Sequence, residues 1–457
     1  MTTVIADRPA LKRPPTVPGL PLVGSLLSFR DPTGIPVDFI TRAIEQNGDV
    51  VRVNVAGRQI YLVADPDLVH QILVSRVNEF HKPIAASPER RSLNRFLGEG
   101  ILTADHDVWR PQRKLIQPLM HTKHIESYAE TITRFGEKLL VIWQNAPERD
   151  IWQDMTQVTM WIIAEAMFGI DATHTSEIEH AAKVAQEISV NELTTPLPPF
   201  LMGPNNRRAA AVNETLDNLV ESIITERQAH PDVERHDLLT LLLNTKDEDG
   251  QSVSREFIRD NILTLFFAGH ETTANTLTWA FYFLDRNPAV RTELQREVDT
   301  VLAGRTPTLN DLKQLPYTQM VIKETMRIEP IVSGITRFIA DDLNLGDYQL
   351  KGKSVALVPI YTLHRDPRWW SQPEQFDPQH FTPENEAKTP KFAYMPFGGG
   401  PRVCIGNHFA MMEAQLLLAM LANRYDLHRE SSDELPLVRH ITTSPSNGMT
   451  MRLTKRQ

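Results

Sequence analysis

Val51, Val53 and Val55 alternate with Arg52 and Asn54, and after Ala56-Gly57-Arg58 a second apolar run covers Ile60 to Val63. Alternation of period two, broken by a turn, predicts a β-hairpin. Asp65-Pro66 then has the form of an N-cap followed by proline in the first helical turn. From there to about residue 330 the apolar positions recur at helical spacing, most clearly over Trp152 to Phe168, Leu216 to Gln228, Ser254 to Phe283 and Ala289 to Leu302. Beyond 330 the pattern shortens to strand-like runs at Ser354 to Pro359, a proline-rich stretch at Asp366 to Pro390, a last helix at Phe409 to Tyr425 and strands near Met449 to Leu453. The expected class is mainly α with a small β-rich lobe (α+β), with the two ends meeting in a small sheet.

Of the 457 residues, 41% are hydrophobic and 23% charged, an ordinary globular balance for a chain with a large core. Chains of this length usually divide into domains. The net charge of −9 leaves no broad basic surface, which argues against nucleic acid as a partner. The first thirteen residues lack the apolar core of a signal peptide and are expected to be a flexible leader. The longest apolar segment, Ile262 to Leu284, holds His270, Glu271 and Asn275 at its centre, so no membrane span is expected. The expected location is the cytoplasm. One cysteine excludes an internal disulfide and any multi-cysteine metal site.

That cysteine, Cys404, lies in Phe397-Gly398-Gly399-Gly400-Pro401-Arg402-Val403-Cys404-Ile405-Gly406. A lone buried cysteine is commonly an inert small hydrophobe. Here three glycines allow close backbone approach to a flat ligand. Gly406 stands before a helix whose free N–H groups favour thiolate over thiol. A thiolate is the axial ligand with which heme iron activates oxygen.

The segment from Phe397 to Gly406 resembles the heme loop of the cytochrome P-450 superfamily, the heme-thiolate monooxygenases, and the resemblance extends from about Pro14 to the end through further motifs in the family's order. It is that of a soluble, bacterial-type member. Glu324-Thr325-Met326-Arg327 matches the family's buried Glu-x-x-Arg pair. As an isolated match it would read as a surface ion pair on one helix face. The third partner in the family is an arginine, but this chain has His380 in Pro378-Gln379-His380-Phe381. Ala268-Gly269-His270-Glu271-Thr272-Thr273 is similar to the oxygen-activating motif. It implies that Thr272 supplies the hydroxyl at the oxygen position and that Glu271 relays protons from solvent. His270 has no second histidine at metal-ligand spacing and is expected to pack or hydrogen-bond only. Trp109 and Arg113, four apart on one helix face, match heme-propionate binding positions, as do Arg402 and Arg337. Phe397, Gly406 and Ala268 are further heme-facing positions by the same resemblance.

The resemblance implies one large triangular domain over 14–457, with β-rich portions near 48–64, 331–360 and the C-terminus, and heme b between the long helix and the cysteine loop. The implied reaction inserts one atom of O₂ into a hydrophobic small molecule such as a fatty acid or terpenoid. The chain as given ends at Gln457, so the two electrons are expected from a separate ferredoxin- or flavodoxin-type donor with its reductase. Arg110, Lys114, Lys388 and Lys391 are candidates for its docking patch. The substrate pocket is expected to draw on His81 to Thr103, the stretch around Glu192 to Met202, Phe266 to Ala268, Ile331 to Ile335 and the loop near Asn447, with Arg90, Arg91 and Arg95 as possible carboxylate anchors. A monomer is expected. A peroxide-using heme-thiolate enzyme or isomerase and a non-catalytic heme sensor are the alternatives; the intact Glu271-Thr272 pair speaks against both. Other motifs fail. Gly346 to Ser354 has one residue too many for a phosphate-binding loop, His364-Arg365-Asp366 lacks the rest of a kinase, and Gly398 to Gly400 has no dinucleotide fingerprint.

Overall fold

The computed structural model describes residues 11–456 except 22, 30, 84–91, 170–174, 195–202, 231–236 and 248; side chains at 122–123, 175–179, 190–191, 193–194 and 203–204 are also outside the description. The chain groups into two compact units interleaved in sequence. One comprises Met1–Ala86, Val332–Pro373 and Thr389–Val403, the other Ser87–Ile331, Glu374–Lys388 and Cys404–Gln457.

The first unit is built on a five-stranded sheet. Val50–Val55 and Arg58–Val63 form the expected antiparallel hairpin, with Val53 opposite Ile60. Ala56 and Gly57, both at positive φ, make its two-residue turn. Arg58–Val63 then pairs in parallel with Ser354–Val358, which pairs antiparallel with Ile335–Ile339, and Phe80–His81 closes the edge. Val51, Val53, Leu62, Leu73, Ile339 and Val358 form the core under this sheet. Asp65 caps the next helix by accepting from the Leu68 N–H at 2.9 Å, with Pro66 at its first position. The expected leader ends earlier than residue 13. The Lys12 N–H donates to the Asp347 carbonyl at 2.8 Å and its own carbonyl accepts from Gln349, while residues 1–10 lie outside the described chain.

The second unit is mostly helical. Its longest helix, Arg255–Arg286, is capped by the Ser254 hydroxyl, which accepts from the Phe257 N–H at 3.0 Å. It packs on Ile151–Phe168 closely at Gly269, where a Cβ would stand 2.6 Å from Ile163 Cδ1 and the isoleucine would have to shift. The helix Asn407–Arg424 is buried nearly all round through Leu416, Leu417, Leu418 and Leu421, each contributing about 1.5–3 kcal/mol of transfer free energy. It lies close enough to Ala129–Trp143 that a side chain at Gly136 would collide with Met420 Sδ at 2.6 Å.

The two ends do not share a sheet, contrary to the expectation from sequence. Among the described residues the C-terminal strand Thr450–Lys455 pairs with Tyr425–His428 and Glu148–Asp150, all in the helical unit. The N-terminal hairpin is taken instead by strands about 300 residues later, a pairing that local periodicity does not encode. Among the described residues no helix is long and apolar enough to cross a membrane.

Candidate active site

The chain enters the site through a glycine-governed turn. Gly398 and Gly400 have φ of 73° and 70°. At Gly400 a Cβ would also meet the Leu73 carbonyl oxygen at 2.0 Å. This glycine is thus demanded by backbone packing within the sheet unit, not only by close approach to a ligand. Gly406 differs. Its φ is −92°, and a Cβ there would meet nothing within 4 Å. Neither conformation nor crowding by protein requires glycine at 406, so its bareness keeps open space two residues from the cysteine.

Cys404 is crowded by protein atoms, yet its side chain keeps accessible surface, the condition of an atom that faces a hollow. Burial pushes its thiol pKa up; the Gly406 N–H, which donates to the sulfur, and the Arg113 guanidinium pull it down without offsetting the burial. A buried sulfur of this kind is held as thiolate by a bound cation. An accessible sulfur with one amide donor, a nearby guanidinium and open space at Gly406 fits a planar iron-bearing group.

Trp109 is buried and Arg113 half-buried on the helix His106–Ile116, and the Arg113 Nε donates to Gln117 Oε1 at 3.2 Å. Burial lowers the Arg113 pKa, while Cys404 opposes that shift. Arg110 and Lys114, on the same helix, are exposed, as are Lys388 and Lys391. In the sheet unit, Arg337 is buried on the strand Ile335–Ile339, where Nη1 donates to the Thr336 carbonyl at 2.9 Å. Arg402, in the same unit, ends the short turn Gly400–Arg402 and is half-buried, as is Phe397.

On the long helix the Thr272 hydroxyl donates to the Ala268 carbonyl at 2.9 Å, the i−4 bond available to threonine in a helix. Glu271 is not simply directed to solvent. Its Oε1 accepts from Gln186 Nε2 at 2.7 Å and, in a short bond, from the Thr442 hydroxyl. His270 is buried, with Nδ1 2.8 Å from the Phe266 carbonyl, and the His270 carbonyl accepts from the Thr159 hydroxyl at 2.9 Å. It packs and hydrogen-bonds, as expected. On the cysteine helix, Glu413 is buried, and neither of its carboxyl oxygens has a hydrogen-bond partner among the described residues. The Thr273 hydroxyl lies near it but bonds back to the Gly269 carbonyl at 3.4 Å. Burial pushes the Glu413 pKa up to about 8, which favours its protonated form.

Glu324 and Arg327 have no accessible side-chain surface. Arg327 donates from Nε and Nη2 to the two carboxylate oxygens at 2.7 and 2.8 Å, and Nη2 also reaches the Gln375 carbonyl at 2.9 Å. Glu324 Oε1 accepts in addition from the Asp377 N–H at 2.7 Å, and His380 Nδ1 stands 3.2 Å from it. The histidine therefore sits where the family resemblance puts an arginine.

A family model described as Cytochrome P450 matches residues 14–451. The chain belongs to the cytochrome P-450 family. It is a heme-thiolate monooxygenase whose cofactor is heme b, and the family implies a redox partner, O₂ and a hydrophobic substrate. Cyclooctatin synthase of Streptomyces melanosporofaciens is 36% identical over 414 residues, covering 89% of this chain and 88% of that protein. Cyclooctat-9-en-7-ol 5-monooxygenase of the same organism is 30% identical, covering 90% and 89%. A crystal structure of the heme domain of cytochrome P-450DA superposes with a TM-score of 0.89 at 26% identity, covering 98% of this chain and 99% of that one. The α+β fold is that of the family.

Arg95, considered as a carboxylate anchor for this P-450, is already engaged. Its Nη1 makes a short ion pair with Glu192 and its Nη2 donates to Asn206 Oδ1 at 2.5 Å. The buried Glu192 also accepts from the Ser92 N–H at 2.6 Å. Arg90 and Arg91 lie outside the described residues. Sequence reasoning did not single out Gln186, Thr442 or Glu413. Glu413 left a signal, an acid inside the apolar run Phe409–Ala422 without a basic residue three or four positions away. Gln186 and Thr442 left none, because their partner is 85 and 171 residues distant.

Proposed function

We propose that this P-450 hydroxylates a neutral, terpenoid-like small molecule with electrons from a ferredoxin- or flavodoxin-type donor. The observation that carries the choice is the Arg95–Glu192 pair. An arginine committed to a buried carboxylate offers no unpaired charge to a fatty acid, and removing a buried partner is costly. The names of the two Streptomyces relatives point the same way, since one acts on an unsaturated alcohol. Apolar neighbours such as Phe266 and Ile331 suit a hydrocarbon skeleton.

Heme bound through Cys404 supplies oxygen activation, the chemistry of a heme-thiolate center. The protein's part lies in its own side chains. Gly406 keeps the space beside the sulfur open and its N–H steadies the sulfur's charge. Trp109 and Arg113 hold carboxylates of the cofactor, and Arg337 and Arg402 are assigned the same role. Phe397 and Ala268 are assigned to its faces. The Thr272 hydroxyl, fixed on the Ala268 carbonyl, offers its oxygen lone pairs where oxygen and a water are handled, and Glu271 supplies protons toward it. Glu324, Arg327 and His380 hold the supporting structure. Residues 14–457 are taken as one catalytic domain.

Purified holoprotein titrated with fatty acids and with neutral terpenoids gives the test. The expected result is a saturable change in the heme absorption spectrum with neutral terpenoid alcohols or hydrocarbons, and none with fatty acids of similar size. A response confined to fatty acids would overturn the substrate class.

A further inference from the structure

We propose that His440 is a positioning residue of the proton path, acting through Glu271 as its solvent-side exchange partner. The proposal rests on the reading of Glu271 as the acid that serves Thr272, and adds a group outside the motif that carries it.

The strands Leu437–Arg439 and Thr443–Pro445 form a hairpin whose tip is His440-Ile441-Thr442. The His440 N–H donates to the Thr442 carbonyl at 3.2 Å, so the imidazole and the Thr442 hydroxyl hang from one tight turn. That hydroxyl donates to Glu271 Oε1, and Gln186 Nε2 donates to the same oxygen at 2.7 Å. Two donors saturate the lone pairs of Oε1. Among the described residues Oε2 accepts no hydrogen bond, and it is therefore the oxygen on which a proton arrives and leaves. Glu271 and His440 are both half-buried, so each keeps some contact with solvent.

The two groups feel each other. Partial burial lowers the His440 pKa, and the Glu271 carboxylate pulls it back up. Arg439, next in sequence, is bound to Glu329 at 2.8 Å, the helix Thr175–Thr194 presents the neutral Gln186 to the carboxylate, and its Lys183 and Glu187 are exposed. In the exchange the imidazolium gives its proton to Glu271 Oε2 through bridging water. Glu271 becomes the neutral acid that serves Thr272, and bulk water restores the imidazolium. No electron moves in this step.

Histidine-labelled holoprotein, held as its diamagnetic ferrous carbon monoxide complex, permits an NMR titration in which the His440 signal is identified by its loss in His440→Gln. The expected result is a further downward shift of the His440 midpoint in Glu271→Gln, because the carboxylate that raised it is gone. In turnover, wild-type product per electron should fall as pH rises through that midpoint, and His440→Gln should be flat across the same range. An unmoved midpoint in Glu271→Gln, or a wild-type pH profile in His440→Gln, would overturn the proposal. If His440→Gln keeps that profile while Glu271→Gln wastes electrons, His440 is excluded and the role of Glu271 stands. If Glu271→Gln keeps the wild-type yield, the acid role fails and His440 fails with it.

Discussion

Replacing Arg327 with alanine is expected to destabilise the protein by about 3–5 kcal/mol, the cost of leaving a buried carboxylate without its ionic partner. Glu324 has no accessible side-chain surface, and two of its bonds, at 2.7 and 2.8 Å, come from this guanidinium. The Asp377 N–H and His380 would be left as its partners, and the Gln375 carbonyl would lose its donor. Folded domains exceed their unfolded states by only about 5–15 kcal/mol, so such a loss would bring the variant close to unfolding at growth temperature. Urea unfolding followed by far-UV circular dichroism measures it. Arg327→Lys should recover only part of the loss, since an ammonium keeps the charge but not the two-pronged fork. A loss below about 1 kcal/mol in Arg327→Ala would mean that the pair behaves like a surface contact.

Thr272→Ala is expected to separate oxygen consumption from product formation. The variant should bind heme and accept electrons, because among the described residues the Thr272 hydroxyl bonds only to the Ala268 carbonyl, and to neither the cysteine loop nor the Glu324 pair. Without that hydroxyl, protons from Glu271 arrive at a position with nothing to hold them in place. Loss of a positioned proton-transfer group commonly costs a factor of about 10² or more in the step it serves. Product per electron should therefore fall at least about tenfold, with the missing electrons recovered as hydrogen peroxide. Thr272→Ser, which keeps an oxygen at the same carbon, should recover much of the yield. Quantifying product, peroxide and reductant in one reaction checks this, and unchanged yield in Thr272→Ala would remove the hydroxyl from the chemistry.

What could be read from sequence and what could not divides along the range of the interactions. The hairpin at Val50–Val63, the Asp65 cap and the helix Ile151–Phe168 are set by neighbours within a few positions, and each lies within a residue or two of its expected place. The lone cysteine became informative only through its glycines and the helix that follows. His380 could be named as a substitute for arginine, but its 3.2 Å approach to Glu324 spans 56 residues and had to be seen. The same holds for the Gln186 and Thr442 bonds to Glu271, and for Glu192, whose capture of Arg95 changes the substrate expectation. The sheet partners of the N-terminal hairpin differ from the expected ones for the same reason. Two sets of strands with similar alternation can satisfy the pattern, and only tertiary packing chooses between them.

The proposed chemistry requires Cys404 to bond heme iron as a thiolate. Reducing the purified holoprotein under carbon monoxide and recording its absorption spectrum tests that bond directly. The expected result is the strongly red-shifted band of thiolate ligation in the wild type, and its loss in Cys404→Ser. A wild-type band characteristic of imidazole ligation, or a thiolate band that survives in Cys404→Ser, would contradict it.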